Sequence, residues 1–151
     1  MREAIEKIMS EVTDEYVICS LGYISREVYR AKDRSKNMYI LGGMSCALAF
    51  GLGLAYSRPD LRVKVISGEG ATLMGLNTVA LYDHLNLPNI KHYILDNDCY
   101  ASTGGQKTCP FNVSDRHIVI KCGKTSDAPR IPLTCQQIKE RFIESICLKK
   151  K

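Results

Sequence analysis

The chain has 151 residues, 45% of them hydrophobic, and a formal net charge of +5. This composition predicts one domain, residues 1–151, whose core needs no disulfide or structural metal. No run approaches the roughly 20 apolar residues that cross a bilayer, and the N-terminus mixes charges unlike a secretory signal. The basic residues are scattered, apart from the tail at residues 149–151, so we expect no nucleic-acid partner. With no apolar run of spanning length, we also expect a cytoplasmic protein without a membrane partner.

Apolar periodicity and breaker residues divide the chain into alternating strands and helices. In chain order we predict a helix over 2–11, a strand over 16–20, a helix over 25–33, a strand over 38–43, a helix over 45–57, a strand entering a glycine turn over 62–70, a helix over 71–85, strands over 91–97 and 117–122, and a final helix over 134–147 capped by Thr134. Ser25 is expected to cap the second helix, with Glu27 and Arg30 on its solvent side, while Gly51 and Gly53 suit close packing of the third. This alternation predicts an α/β fold, a parallel sheet flanked by helices on both faces.

The cysteines and histidines carry little functional signal. The seven cysteines are odd in number and never spaced CxxC, which argues against a zinc site. Several lie in apolar runs, so we interpret most as reduced thiols of the core, typical of the cytosol. His84, His92 and His117 have no spacing typical of a ligand set or a triad, so each is interpreted as a surface or a satisfied buried histidine.

Two polar segments follow neighbouring strands, at the edge where parallel sheets bind ligands. The first contains Gly68, Glu69 and Gly70, where backbone N–H groups could bind a diphosphate while the acid holds its cation. The second contains Asp96 and Asn97, and Asn97 lies 28 positions after Glu69. Neither GxGxxG nor GxxxxGK[ST] is complete, which argues against ordinary dinucleotide and P-loop sites.

These segments resemble the thiamine diphosphate-dependent enzymes, whose signature is a GDG turn followed at an interval by an Asn-containing strand end. Within that family the chain resembles the diphosphate-binding portion of phosphonopyruvate and sulfopyruvate decarboxylases. Four stretches carry the resemblance: SLGYISREVYRAKDR, NMYILGGMSCALAFGLGLA, LDNDCYASTGGQKT and DAPRIPLTCQQIKERF. Thiamine diphosphate and Mg²⁺ are therefore the implied cofactors.

The resemblance implies a role for each of several residues. The implied metal ligands are Glu69, Asn97 and the Cys99 carbonyl, and the implied cofactor-binding residues are Gly42, Met44, Gly68, Gly70, Ala71 and Asn97. The implied substrate-side residues are Ser102, Thr103, Gly104, Gly105 and Gln106. Gly42 would accept a hydrogen bond from the aminopyrimidine through its carbonyl, and Met44 would keep the cofactor bent. Taken singly, these residues are more typical of core, cap and loop positions, but their order favours a cofactor site.

Three departures from the family pattern accompany the resemblance. Glu69 stands where the family has aspartate, and Ser45 belongs to a GGMS stretch where the family has GSMG. Only VSDR joins Asn112 to His117, where these relatives carry a further helix and strand. We therefore expect a fold that lacks one helix-strand element near the C-terminus.

The family's catalytic glutamate belongs to a pyrimidine-binding domain that does not fit in this chain. The resemblance thus implies a hetero-oligomer with a pyrimidine-binding partner subunit, and no catalytic residue in this chain. The leading hypothesis is a subunit of a 2-oxo acid decarboxylase of the phosphonopyruvate or sulfopyruvate type, a carboxy-lyase inactive alone, acting on a small anionic substrate. Two alternatives stay open: a non-catalytic subunit of the same fold, motivated by the departures, and a stand-alone flavodoxin-like binder of phosphate or nucleotide.

Overall fold

The computed structural model describes residues 1–147, so the basic tail at 149–151 lies outside the described residues. The strands are β1 Tyr16–Cys19, β2 Asn37–Tyr39, β3 Val63–Gly68, β4 Ile90–Asp96, β5 Cys99–Tyr100, β6 Gln106–Lys107 and β7 His117–Lys121. The helices are α1 Arg2–Ser10, α2 Tyr23–Lys32, α3 Cys46–Ser57, α4 Glu69–Met74, α5 Leu76–Leu85 and α6 Cys135–Cys147. Five strands form a parallel sheet in the order β2-β1-β3-β4-β7, and β5 pairs with β6 as an antiparallel hairpin. The predicted fold class is confirmed.

Apolar side chains fill both faces of the sheet. Helices α1 and α2 cover one face, with Val28 in that core, and helices α3 and α5 cover the other, with Val79 in that core. Helix α6 contributes Ile138 to the first core and Phe142 to the second, and it packs beside β2. The β2 edge of the sheet is therefore closed by a helix.

The opposite edge of the sheet, at β7, is open. Ile118 and Val119 of β7 are 40% and 46% exposed. Within the described residues no helix lies between β4 and β7, because the β5–β6 hairpin and a loop make the connection. The expected absence of a helix-strand element is thus seen in the structure, and it leaves apolar side chains of an edge strand uncovered.

Two predictions for α2 were wrong. The helix begins at Tyr23 with Gly22 as its N-cap residue, and Ser25 lies in the first turn, where its hydroxyl donates to the Gly22 carbonyl at 3.1 Å. Glu27 does not face solvent: it is 2% exposed, because Arg30 pairs with it at 2.7 Å and the Ser126 hydroxyl donates to it. The charge of Glu27 is thus neutralised inside the fold.

Glycines set the approach of the helices to the sheet and to each other. A Cβ atom at Gly51 would lie 2.3 Å from Cγ2 of Val65, so the prediction of close packing is confirmed there. The same prediction is wrong for Gly53, where a Cβ atom would meet no described neighbour within 4 Å apart from the adjoining residues and the backbone of its own helix. The helix predicted over 71–85 is two helices, because Gly75 interrupts the helical backbone. A Cβ atom added at Gly75 would lie 3.0 Å from Cβ of Ser45.

The start of α6 is fixed by a reciprocal pair of hydrogen bonds. The Gln137 N–H donates to Oγ1 of Thr134 at 3.2 Å, and the Thr134 N–H donates to Oε1 of Gln137 at 2.9 Å. Such a capping box satisfies two of the amides that a helix start leaves without partners. The predicted cap at Thr134 is confirmed.

Two observations bear on the predictions about compartment. All seven cysteines are free, but only Cys19 and Cys99 are buried. The prediction that most are core thiols was therefore wrong, since the exposed ones are Cys46, Cys109, Cys135 and Cys147. Among residues 1–147, no helix combines the length and apolarity that crossing a membrane requires.

Candidate functional site

A cleft opens at the carboxyl ends of β1, β3 and β4, where parallel sheets bind ligands. Its volume is about 100 Å³. Sites that enclose a complete small-molecule ligand usually measure roughly 300–1,000 Å³. The cleft of this single chain can therefore enclose only part of a cofactor-sized molecule.

Most of the residues that the sequence predicts for the site line this cleft. They are Met44, Gly68, Glu69, Gly70, Ala71, Asn97, Cys99, Ser102 and Thr103. Gly42 is not part of the lining, and Gly104, Gly105 and Gln106 lie in the exposed β5–β6 hairpin, away from the lining. Gly104 and Gly105 have φ angles of 119° and 75°, which glycine adopts readily, so these two glycines shape the hairpin.

Glu69 and Asn97 meet at one backbone amide. Glu69 follows β3 and Asn97 follows β4, so the parallel pairing of these strands sets the two residues side by side. The Cys99 N–H donates to Oε1 of Glu69 at 3.0 Å and to Oδ1 of Asn97 at 3.3 Å. The amide nitrogen of Asn97 donates to the Lys124 carbonyl at 3.2 Å, which leaves its oxygen directed at the site. Two side-chain oxygens thus converge.

Glu69 is a buried acid that forms no ion pair with a described side chain. It is 3% exposed, and no Lys, Arg or His within residues 1–147 forms an ion pair with it. Burial raises the pKa of Glu69, and the Asp96 carboxylate raises it further, while the backbone amides of Asn97 and Cys99 oppose the rise. A buried carboxylate is costly to ionise unless a cation joins it.

The oxygen donors at this position fit a magnesium ion. The described residues contain no cluster of three or more His, Cys, Asp and Glu side chains, so a metal cannot be held by such a cage. Mg²⁺ is instead usually held by one or two carboxylates, with waters and substrate phosphates completing an octahedron. One buried carboxylate and one amide oxygen fit the protein's share of such a site.

The backbone between Asn97 and Cys99 is strained. Asp98 has a φ angle of 60°, in the left-handed region that residues other than glycine seldom adopt. Its N–H donates to Oδ1 of Asp96 at 3.0 Å, and Lys121 bridges the Asp96 and Asp98 carboxylates at 2.8 and 2.7 Å. Strain persists only where surrounding contacts enforce it, and it clusters at ligand sites. Here those contacts hold the turn in which Asn97 and Cys99 meet.

The turn at residues 68–71, the glycine turn below, has no room for a side chain at Gly70. A Cβ atom there would lie 2.6 Å from Cε1 of Tyr100 and 3.3 Å from Cε of Met44. Gly70 and Ala71 belong to the first turn of α4, where amide N–H groups have no carbonyl partner within the helix. Tyr100, which the sequence analysis did not single out, forms a wall of the cleft.

Sequence reasoning also missed a set of hydrogen-bonded polar residues behind the glycine turn. The sequence analysis interpreted each histidine as either a surface residue or a satisfied buried one. His92 and His117 are buried and contact each other, whereas His84 is exposed. Ser67 of β3 contacts His92 of β4 at 2.6 Å. Polar residues in otherwise apolar strands were the available signal, but the alignment of the strands was needed to join them.

Comparison with known proteins identifies the class to which this site belongs. Residues 20–129 match the family described as thiamine pyrophosphate enzyme, C-terminal TPP binding domain. The chain belongs to this family. The matched range includes the cleft-lining residues from Ser20 to Thr103, so the resemblance noted in the sequence is confirmed.

Individual relatives are decarboxylases by name. The chain is 36% identical to sulfopyruvate decarboxylase subunit beta of Methanothermobacter thermautotrophicus, over 95% of this chain and 94% of the relative. It is 41% identical to the protein of that name from Methanocaldococcus jannaschii, over 70% of this chain and 56% of the relative. It is 36% identical to phosphonopyruvate decarboxylase of Streptomyces viridochromogenes, over 80% of this chain and 30% of the relative.

The match to the Methanothermobacter protein also shows a difference in length. It extends over 175 aligned positions but covers 95% of 151 residues, or about 143, so roughly 32 positions have no counterpart in this chain. The structure has no helix between β4 and β7. A deletion of that size is large enough to contain a helix and a strand.

Proposed function

We propose that this chain is the diphosphate- and metal-binding subunit of a thiamine diphosphate-dependent 2-oxo acid decarboxylase. The proposed active site is shared with a pyrimidine-binding partner subunit in a hetero-oligomer. The proposed substrate is a small 2-oxo acid with a phosphonate or sulfonate group, as the names of the relatives suggest. Unpaired cysteines favour a reducing compartment, and we propose the cytoplasm.

The observation that carries this proposal is the buried Glu69 carboxylate, which forms no ion pair with a basic side chain of the described residues. Its burial is unfavourable by itself, because the carboxylate loses water without gaining an opposite charge. A divalent ion at this position would supply that charge.

Each group of this chain has a limited chemical task in the proposed site. Glu69, Asn97 and the Cys99 carbonyl would bind Mg²⁺, and the amides of Gly70 and Ala71 would bind the diphosphate. When bound, the cofactor supplies the electron-accepting ring that decarboxylation of a 2-oxo acid requires. Met44 lies in the cleft against Gly70, which suits its proposed role in bending the cofactor. Gly42 would accept from the aminopyrimidine.

The proposed substrate-side residues lie in the exposed β5–β6 hairpin. Ser102 and Thr103 line the cleft, while Gly104, Gly105 and Gln106 extend beyond it. A hairpin tip rich in glycine and hydroxyl groups could close over an anionic substrate once a partner completes the pocket. The tip would then contribute backbone and hydroxyl donors to the substrate anion.

An exposed apolar surface supports the proposed partner. Phe50 and Tyr56 of α3 and Leu76 and Leu81 of α5 are 40% to 65% exposed. A groove between α3 and α5 includes Tyr56 and Leu81 in its lining. Large exposed apolar patches mark surfaces that other proteins cover. We assign this surface to the pyrimidine-binding subunit, which would also bring the catalytic glutamate.

A non-catalytic subunit of the same fold is the second candidate. The open β7 edge and the longer acid at position 69 favour it, since octahedral Mg²⁺ tolerates little displacement of its ligands. Ser45, the second departure from the family pattern, packs so close to Gly75 that a Cβ atom added at Gly75 would lie 3.0 Å from its Cβ. A partner subunit that decarboxylates equally well without this chain would establish this candidate. A stand-alone flavodoxin-like binder has no observation in its favour beyond the glycine turn.

Calorimetric titration tests the proposed cofactor site. Thiamine diphosphate is titrated into the purified chain, alone and with the co-expressed partner, in the presence and absence of Mg²⁺. We expect binding that requires Mg²⁺ and is lost in Asn97→Ala, because that variant removes a metal ligand. Asn112→Ala, an exposed position outside the cleft, is the matched control and should bind like the native chain.

The outcomes separate the two candidates. Metal-dependent binding that Asn97→Ala abolishes would justify assays of carbon dioxide release from sulfopyruvate and phosphonopyruvate by the complex. Absence of binding to the native chain, both alone and with its partner, would rule out the catalytic proposal. The non-catalytic subunit would then be the better account.

A further inference from the structure

A row of polar side chains runs behind the glycine turn, from the surface of α5 to the first residue of the turn. We call it the buried polar chain, and its members in order of contact are Asp83, His117, His92, Ser67 and Thr72. His92 is 0% exposed and His117 is 5% exposed. The hydroxyl residues Ser67 and Thr72 are also buried. None of these residues has a role in the proposed binding of metal or cofactor.

The first half of the buried polar chain joins helix α5 to the sheet. Nε2 of His117 lies 3.2 Å from Oδ1 of Asp83, an ion-pair distance at which the geometry is not that of a hydrogen bond. Nδ1 of His117 lies 2.8 Å from Nδ1 of His92, and Nε2 of His92 lies 2.6 Å from Oγ of Ser67. The last two contacts are hydrogen bonds, and all three distances are short enough to accommodate one hydrogen atom each.

The second half reaches the backbone of the glycine turn. Oγ of Ser67 lies 3.1 Å from Oγ1 of Thr72, and the Thr72 hydroxyl lies 3.0 Å from the Gly68 carbonyl, to which it can donate. Gly68 is the last residue of β3, and Glu69 follows it directly. A hydrogen bond from the Thr72 hydroxyl to this carbonyl therefore holds the peptide group that joins Gly68 to Glu69.

A count of hydrogens shows that the buried polar chain is one proton short. Five contacts link Asp83 to the Gly68 carbonyl. With both histidines neutral and Asp83 ionised, each histidine and each hydroxyl residue brings one hydrogen, which makes four for the five contacts. One contact must lack a hydrogen until a further proton arrives.

The direction of the hydrogen bonds decides which contact lacks it. If His117 carries its hydrogen on Nδ1, every donor points toward Gly68, and the bare Nε2 faces the Asp83 carboxylate. If Nε2 carries the hydrogen instead, the donors turn round, and Thr72 cannot donate to both Ser67 and Gly68. One added proton at Nε2 satisfies all five contacts and keeps Thr72 on the Gly68 carbonyl.

The charges around His117 set the conditions for that proton. Burial lowers the pKa of His117, the Asp83 carboxylate opposes that effect, and the Arg116 guanidinium lowers the pKa further. Arg116 stacks over the Tyr82 ring at 4.8 Å, and that ring lies 4.7 Å from the His117 ring. Burial and the neighbouring His117 lower the pKa of His92 as well. Proton uptake therefore begins below the range in which an exposed histidine titrates.

We propose that the buried polar chain positions the glycine turn, and that one proton taken up between Asp83 and His117 fixes the hydrogen bond from Thr72 to the Gly68 carbonyl. The members are positioning residues, since none lines the cleft. The link to cofactor affinity rests on the proposed function, in which this turn holds the diphosphate. The link to the conformation of the turn does not.

Nuclear magnetic resonance of the metal-free chain tests the proposal without cofactor. The sequence has three histidines, so side-chain ¹⁵N spectra report the tautomer and charge of each, with exposed His84 as internal reference. As the pH falls, we expect His117 to gain a second proton, and the backbone amides of Gly70 and Ala71 to shift with the same midpoint. Thiamine diphosphate with Mg²⁺ should then bind about fivefold or more tightly in the protonated form.

Asp83→Asn is the informative variant. An amide at this position can donate to the bare Nε2 of His117 without an added proton, so the turn should stay in one state across the pH range. The pH-dependent shift of Gly70 and Ala71 should disappear, as should the pH dependence of cofactor affinity. His84→Gln, a change at an exposed neighbour on the same helix, should behave like the native chain.

Two results would overturn the proposal. One is a His117 side chain whose tautomer and charge stay constant at every pH at which the protein is folded. The other is a shift of Gly70 and Ala71 that follows the same pH course in Asp83→Asn as in the native chain. A native chain with the expected shifts but no cofactor binding at any pH would instead contradict the proposed function.

Discussion

Glu27 and Glu69 are buried to the same extent, at 2% and 3% exposed, but their surroundings differ. Glu27 receives both guanidinium contacts of Arg30, at 3.0 and 2.8 Å, and a hydrogen bond from Ser126. Glu69 receives a hydrogen bond from the Cys99 N–H, and no basic side chain of the described residues pairs with it. A buried acid that serves the fold thus has its cation within the chain, whereas the proposed site would supply Glu69 with a cation from outside.

The largest expected effect concerns ligand binding at Glu69. Glu69→Gln keeps the size of the side chain but removes the charge, so we expect the affinity for Mg²⁺ with thiamine diphosphate to fall by about 100-fold or more, roughly 2.7 kcal/mol. Calorimetry measures this directly. Glu144→Gln, at an exposed position of α6, should leave affinity unchanged. Equal affinity in the Glu69→Gln variant and the native chain would show that Glu69 does not bind the metal ion.

The second effect concerns stability at Glu27. Glu27→Gln leaves the Arg30 guanidinium without its buried partner, so we expect the free energy of unfolding to fall by about 2 kcal/mol. Arg30 is 27% exposed and keeps a contact with Asp127, which limits the loss. Denaturant unfolding gives the value. A loss below about 0.5 kcal/mol would place Glu27 among ordinary surface substitutions.

The smallest effect has the opposite sign. The pKa of Glu69 is raised by burial, so the folded state binds a proton there more tightly than the unfolded chain, and stability is lost as the pH rises above the ordinary value of 4.5. Glu69→Gln should therefore make the metal-free chain more stable at neutral pH, by up to about 1 kcal/mol. The difference should close as the pH falls below that value. Destabilisation of the metal-free chain at pH 7 would contradict this expectation.

The general plan of the site could be predicted from sequence because it depends on local patterns. Strands β3 and β4 are recognisable by their apolar runs, and consecutive strands of an α/β protein commonly lie side by side. That rule is sufficient to bring Glu69 and Asn97 together, as the structure shows. The family resemblance added the proposed roles, which no local pattern contains.

The features that were missed depend on distant partners. Glu27 resembles a solvent-facing acid on a helix until Ser126, 99 positions away, is seen to cover it. The contact between His92 and His117 depends on the pairing of β4 with β7, and the absence of a helix between them makes that pairing hard to anticipate. The break at Gly75 depends on the approach of Ser45. Each of these features requires the tertiary structure.

The open edge at β7 has a consequence for how the molecule opens locally. This strand has a hydrogen-bonded neighbour on one side only, and solvent reaches Ile118 and Val119. Segments with few buried apolar contacts have the lowest free energies of local unfolding. When β7 separates from β4, it takes His117 away from His92 and Lys121 away from Asp96 and Asp98, while β3 and β4 remain paired beneath the glycine turn. Local opening at this edge therefore breaks the buried polar chain at His117 and also releases the turn in which Asn97 and Cys99 meet.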